Sequence, residues 1–175
     1  MRFLEKSQFL SEWKYLYDQV FSGEYVDKGC FKDSSWEQVL LPSHRIITID
    51  PDIFAALKKA VDKEEYHGYV VMTEVEGPFD ESVCLSFERE ELDQVWVDNI
   101  FFALDSVVFG KSGAWGMFVA YDDFICIGGK GSFMKNIFRG VDGGLASIKE
   151  YFFENAEWSV DQSVREKVLR RVGWG

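Results

Sequence analysis

The clearest pattern of hydrophobic and polar positions lies between Asp105 and Gly129. Three short runs of β-branched and aromatic residues, 106–109, 115–121 and 124–127, are separated by glycine- and aspartate-containing turns, which predicts three consecutive antiparallel strands. In the second run the side chains alternate, so that Trp115, Met117, Val119 and Tyr121 face one way, and Gly116, Phe118 and Ala120 the other. Because both faces are apolar, we expect this sheet to be covered on both sides.

Helical periodicity marks the chain on either side of this sheet. Residues 3–21 predict one amphipathic helix, with Phe3, Phe9, Leu10, Trp13, Leu16, Tyr17 and Val20 as its apolar stripe. Asp50-Pro51 predicts a helix start, with aspartate as the N-cap and proline at the first helical position. Residues 24–41 give mixed signals and predict a loop with a short element. Further strands are predicted at 45–49, 69–75 and 83–87, and further helices at 88–104, 132–138, 145–153 and 159–172.

These elements predict an α+β fold in which a central antiparallel sheet has helices packed against it. Residues 1–175 contain no repeat, low-complexity tract or linker, so we expect a single domain. The chain opens without a signal-peptide pattern, and no apolar stretch reaches the length of a membrane span. We therefore expect a cytoplasmic protein that does not enter a membrane.

The composition indicates an acidic globular protein. Thirty acidic and nineteen basic residues give a net charge of −11, and 47% of the residues are hydrophobic. Such a charge disfavours nucleic acid and anionic membranes as partners and favours basic ones. The three cysteines are far apart, with no CxxC and no metal-ligand spacing, so we expect no metal and no cofactor. Cys126, inside an apolar strand, is interpreted as a small buried hydrophobic residue.

Most of the negative charge falls in one window. Between Asp62 and Asp98 there are twelve acidic and two basic residues, a net charge of −10. A solvated surface and a docking surface for a basic protein both explain such clustering, whereas the DxDxDG spacing of a calcium loop is absent. If the window binds a partner, the best candidates flank one predicted hairpin: Glu74, Glu76, Asp80 and Glu81.

Three other features could be mistaken for catalytic or ligand-binding groups. Gly110-Lys111-Ser112 is like the end of a P-loop, but Asp105 occupies the position of the required first glycine and a strand follows. Asp122-Asp123 could be an acid/base pair or a metal site, although a solvated turn is the favoured interpretation. His67 follows two glutamates, and an ordinary loop histidine is favoured over a proton-transfer group because no nucleophile motif accompanies it.

The segment 105–138 also carries a family pattern: Trp115-Gly116, a strand, the acidic turn with Phe124, then Gly128-Gly129 and Phe133. This pattern resembles that of small bacterial immunity proteins, which are encoded beside polymorphic or contact-dependent toxins and inactivate them by binding. The resemblance implies a protein that binds a basic toxin domain, such as a nuclease, blocks its active site and catalyses no reaction. It identifies no contact residues, because such interfaces differ between members. The glycines and Trp115 are expected to serve close packing.

Two alternatives remain open at this point. A hydrolase-type enzyme using Asp122, Asp123 or His67 would bring these groups together in a concave pocket. A small ligand-binding or adaptor domain would instead use its many aromatic residues around an apolar cavity.

Overall fold

The computed structural model describes residues 2–23, 29–43, 50–64, 69–73, 84–88, 91, 105–120 and 123–175. The strands of these residues are β1 (Arg2–Phe3), β2 (Glu37–Pro42), β3 (Tyr69–Thr73), β4 (Cys84–Phe87), β5 (Ser106–Gly110), β6 (Trp115–Ala120) and β7 (Phe124–Gly129). The helices are α1 (Lys6–Glu12), α2 (Lys14–Val20), α3 (Pro51–Glu64), α4 (Gly131–Gly140), α5 (Leu145–Asn155) and α6 (Gln162–Arg171).

The strands form one seven-stranded antiparallel sheet in the order β1-β4-β3-β5-β6-β7-β2. The predicted α+β class, with a central antiparallel sheet and helices against it, is confirmed. The three predicted strands of the 105–129 segment are β5, β6 and β7. Their register places Trp115 opposite Gly129 and Gly116 opposite Gly128.

Each face of the sheet carries a buried core. The first core is largely aliphatic and joins the sheet to α3 and α4, through residues such as Leu57, Val61, Met117, Ile125, Met134 and Ile137. The second core is rich in aromatic residues and joins the other face to α1 and α2, through residues such as Phe9, Trp13, Tyr17, Phe31, Phe109 and Phe118. Within β6, Trp115 and Met117 enter the first core whereas Phe118 enters the second, as the alternation predicts.

The amino-terminal region differs from the single helix that its periodicity predicts. The backbone leaves the helical conformation at Trp13, which separates α1 from α2, and residues 2–3 form a strand paired with β4. Phe9, Trp13 and Val20 are buried as expected, but Phe3 is 70% exposed. Phe3 instead lies opposite Leu85 of β4. Helical periodicity cannot indicate this pairing, because the two residues are far apart in the sequence.

The segment 24–41, expected to be a loop with a short element, contains the six-residue strand β2. This strand pairs with β7 along its whole length, from Glu37 opposite Gly129 to Pro42 opposite Phe124. It is an edge strand, which is where a proline is tolerated in a sheet. Helix α5 covers this edge, because Ile148 enters the first core and Phe152 the second.

The helix start predicted at Asp50-Pro51 is confirmed. Asp50 Oδ1 accepts hydrogen bonds from the backbone N–H groups of Asp52 and Ile53, at 2.9 and 3.2 Å. Asp161 Oδ1 caps α6 in the same way, accepting from the N–H groups of Ser163 and Val164. The predicted helices at 132–138 and 145–153 correspond to α4 and α5. The predictions for 45–49 and most of 88–104 lie outside the described residues.

Candidate functional site

The predicted partner-binding residues Glu74, Glu76, Asp80 and Glu81 lie outside the described residues, as does His67. The strands that flank 74–83 are described: β3 ends at Thr73 and β4 begins at Cys84, which is paired with Met72. These strand ends therefore mark one end of the sheet.

Of the described acidic residues of the window, Asp62 and Glu64 belong to α3, whereas Glu88 and Glu91 follow β4 at the opposite strand ends. Glu88 follows Phe87, and Phe87 is paired with Tyr69 at the start of β3. Tyr69 also pairs with Gly110, so the turn that carries Lys111 is at this end of the sheet. A five-residue strand is about 14 Å long, so Thr73 and Glu88 lie at opposite ends of these strands, roughly that far apart.

A cleft lies at the β1–β4 edge of the sheet, and we call it the edge cleft. It has a volume of about 250 Å³ and is lined by Arg2, Glu12, Trp13, Ser86, Phe87, Glu88, Glu91 and Lys111. Glu12, at the end of α1, is far from the acidic window in sequence and was not predicted as a site residue. The fold brings it to the same cleft as Glu88, because β1, which precedes α1, pairs with β4.

The charges of the edge cleft are only partly compensated. Within the described part of the chain, no ion pair involves the side chain of Glu12 or Glu88. The backbone N–H of Glu88 donates to Glu91 Oε2 at 2.9 Å. Two exposed carboxylates without an ion pair are able to contact cationic side chains of another molecule.

Trp13 forms the apolar wall of the edge cleft. Its ring is buried and packs edge-on against Phe109, with the centroids 6.0 Å apart. The ammonium group of Lys111 lies 5.0 Å from the Trp13 ring centroid, a cation–π contact. No described residue accepts a hydrogen bond from Trp13 Nε1. The cleft therefore combines an aromatic wall with groups of both charges, and it holds no described nucleophile and base in contact.

The residues of the immunity-protein pattern form a packing unit, as expected. Trp115 stacks on Phe133, with ring centroids 5.6 Å apart and an interplanar angle of 13°. A methyl group at Gly129 would lie 2.7 Å from Phe133 Cδ1, and one at Gly128 would lie 2.6 Å from Phe31 Cδ2. Both distances are below van der Waals contact, so glycine is required here for close approach of an aromatic ring.

Asp123 was predicted to lie in a solvated turn, and the turn is present, with its N–H bonded to the carbonyl oxygen of Ala120 at 3.1 Å. The prediction of solvation is wrong for this residue, because its side chain is buried. Asp123 Oδ1 accepts from Ser159 N at 2.6 Å, Ser159 Oγ at 2.9 Å and Val160 N at 3.2 Å. The carboxylate thus holds the segment between α5 and α6 against the β6–β7 turn. Asp122 lies outside the described residues.

The three cysteines are buried and unbridged. Cys126 belongs to the second core, which confirms its interpretation as a small hydrophobic residue. Although far apart in sequence, Cys30 and Cys126 line the same small cavity beside Gln38. The pKa of Cys126 is raised, first by its hydrogen bond with Cys30 and then by burial, and burial raises the pKa of Cys84 to about 11. Among the described residues no group of three or more potential ligands could hold a metal ion.

No family model, curated protein or solved structure matches this chain. In the portion of the chain that the structure describes, every helix is too short or too polar to cross a membrane.

Proposed function

We propose that this protein is an immunity protein that neutralises a toxin by binding it. The partner is a basic toxin domain, such as a nuclease, and the complex blocks the active site of the toxin without catalysing a reaction. The observation that carries the proposal is the charge distribution, because the window from Asp62 to Asp98 holds a net charge of −10 out of −11 for the whole chain. Clustered like charges destabilise a fold through mutual repulsion. Binding to a partner of opposite charge would explain why the cluster is kept.

The edge cleft supports this proposal. It joins Glu88 and Glu91 of the acidic window to Glu12 from a separate part of the chain. The side chains of Glu12 and Glu88 are not committed to ion pairs within the described chain. Cores on both faces of the sheet provide a scaffold that can present these groups without rearrangement.

The proposed mechanism is competitive occupation of the toxin active site. A nuclease needs cationic side chains to bind the phosphates of its substrate, and carboxylates of the immunity protein would contact the same side chains. Complementary electrostatic potentials on the two proteins raise the association rate. The interface of a tight complex buries more than about 1,000 Å². Salt is therefore expected to slow association more than it accelerates dissociation.

The test uses the product of the adjacent gene as the candidate toxin. Association rates are measured by stopped-flow at several salt concentrations, for the wild type and for a variant carrying Glu74→Gln, Glu76→Gln, Asp80→Asn and Glu81→Gln. We expect the variant to associate about tenfold more slowly at low salt, because charge steering changes association rates by tenfold or more.

The matched control removes four exposed carboxylates outside the window: Asp142→Asn, Glu150→Gln, Glu154→Gln and Glu157→Gln. It changes the net charge by the same amount, and we expect less than a twofold effect. The proposal is wrong if the wild type does not bind the candidate toxin at low salt. Equal slowing by both variants would show that total charge, and not the acidic window, directs the encounter.

A further inference from the structure

A second cavity lies at the opposite edge of the sheet, beside β2, and we call it the aromatic groove. It has a volume of about 350 Å³, within the range of small-molecule sites. Residues from β2, α4, α5 and the segment after α6 meet there, and those that carry the argument are Trp36, Phe138, Leu145, Lys149, Arg171 and Trp174.

The walls of the aromatic groove are apolar and fixed. The ring of Trp174 packs edge-on against buried Phe152, with centroids 5.5 Å apart, and its backbone N–H donates to Leu169 O at 2.8 Å. Trp36 is held by Phe31, with ring centroids 5.4 Å apart. On α5, Leu145 is 38% exposed although it lines the groove. A bound apolar group would remove part of this surface from water, which favours binding.

The charged groups of the groove are mainly positive, in a protein whose net charge is −11. Lys149 Nζ lies 5.3 Å from the centroid of the Trp174 ring and forms no ion pair within the described residues. Arg171 is a second cation of the lining and already interacts within the chain, and Glu37 is the one carboxylate among the described lining residues. This arrangement complements a single negative charge attached to an apolar body.

We propose that the aromatic groove binds a small aromatic carboxylate. The ring of the ligand lies against Trp36, Trp174 and Leu145, and its carboxylate contacts Lys149. The groove and the edge cleft are at opposite edges of a seven-stranded sheet, separated by six strand spacings or roughly 29 Å. The proposal therefore does not depend on the toxin-binding function, and either can fail without the other.

The experiment titrates the full chain with 2-naphthoate by isothermal calorimetry and compares it with the neutral analogue 2-naphthalenemethanol. We expect 1:1 binding of the carboxylate and about tenfold weaker binding of the alcohol, because charge-assisted hydrogen bonds would be lost. Equal affinity for the two compounds, or no heat of binding for naphthoate at millimolar concentration, overturns the proposal.

Variants test the assigned residues. Lys149→Gln is expected to weaken naphthoate binding about tenfold and Lys149→Arg to retain it, whereas Glu37→Gln should strengthen it a few-fold. Lys167→Gln, which removes an exposed cation of α6 outside the groove lining, is the control and should change affinity less than twofold. Thermal unfolding of each variant verifies that it is folded. Unchanged affinity in folded Lys149→Gln also overturns the proposal.

Discussion

The two edges of the sheet are built differently. At one edge, β1 is only two residues long, and both of its side chains are exposed. At the other edge, β2 is six residues long and is covered by α5, whose Ile148 and Phe152 enter the cores on the two faces. A long, uncovered edge strand can pair with a strand of another chain. Covering β2 with a helix and keeping β1 short are two ways to prevent such pairing.

This difference extends to the surfaces that the edges offer. The short edge borders the edge cleft, whose lining includes Glu12, Glu88 and Glu91 together with Arg2 and Lys111. The covered edge borders the aromatic groove, where packing of α5 and the segment after α6 leaves indole rings and two cations at the surface. Helical cover introduces large apolar side chains, whereas a short edge strand leaves room for the charged side chains of the edge cleft. We therefore expect substitutions at the covered edge to affect stability and those at the short edge to affect association.

Phe152→Ala is expected to give the largest effect, because it removes the side chain that joins the covered edge to the second core. Phe152 is fully buried against Trp158 and Trp174. The lost burial and the resulting cavity should lower the free energy of unfolding by about 3–5 kcal/mol in urea denaturation. The adjacent Phe153→Ala, at a 47% exposed position, is the control and should cost less than about 1.5 kcal/mol. Equal losses would contradict the role assigned to α5 at this edge.

Asp123→Ala removes a buried carboxylate, and its effect on stability is compared with the loss of an exposed carboxylate at the short edge. Three donors from Ser159 and Val160 would lose their acceptor, so the free energy of unfolding should fall by about 1.5–3 kcal/mol. Glu88→Gln, with the same charge removed at an exposed position, should change stability by less than about 0.5 kcal/mol. A large loss in Glu88→Gln would show that the edge cleft is part of the folding core.

Gly128→Ala probes the second core beside the covered edge. Its new methyl group would collide with the ring of Phe31, and the overpacking should cost about 1–3 kcal/mol in thermal or urea unfolding. Gly131→Ala is the matched control, because a methyl group there meets open space. Combining Gly128→Ala with Phe31→Leu should cost less than the sum of the two single changes, since the smaller side chain relieves the collision. Additive costs would exclude this contact as the cause.

Asp161→Ala should lower the melting temperature by about 2–4 °C at pH 7 through loss of the α6 N-cap. Hydrogen bonds, first from the Ser163 hydroxyl and then from the N–H groups of Val164 and Ser163, hold the pKa of Asp161 below its ordinary value of 3.8. Because the folded-state pKa is lowered, this stabilisation is present above pH 3.8 and is lost as the pH falls through the folded value. The difference between wild type and variant should therefore shrink in acid, and a constant difference would contradict the assignment.

Phe3→Lys should give the smallest effect on stability, within about 0.5 kcal/mol, because the side chain it replaces is mostly exposed at the short edge. A lysine on an edge strand also disfavours pairing with other chains. Stability is measured by urea unfolding and self-association by sedimentation. A loss of more than about 2 kcal/mol would show that the short edge is packed as tightly as the covered one.

Several features of the site could be predicted from the sequence and others could not. The net negative charge, and its concentration between Asp62 and Asp98, can be counted from the sequence alone. The edge cleft was not predictable, because Glu12 and Glu88 come to line one cleft only when β1 pairs with β4. The aromatic groove likewise needs Trp36 and Trp174, near opposite ends of the chain, to reach the same edge strand.

The sequence by itself determined the elements whose signals are local: the alternation that sorts Trp115 and Phe118 onto opposite faces, and the aspartate cap of α3. Tertiary structure alone decided that the helix breaks at Trp13, that β2 is a strand, and that Cys30 lies beside Cys126. The reason is physical, since alternation and capping depend on neighbours within a few residues. Strand pairing and core contacts depend instead on partners that the chain meets only after it has folded.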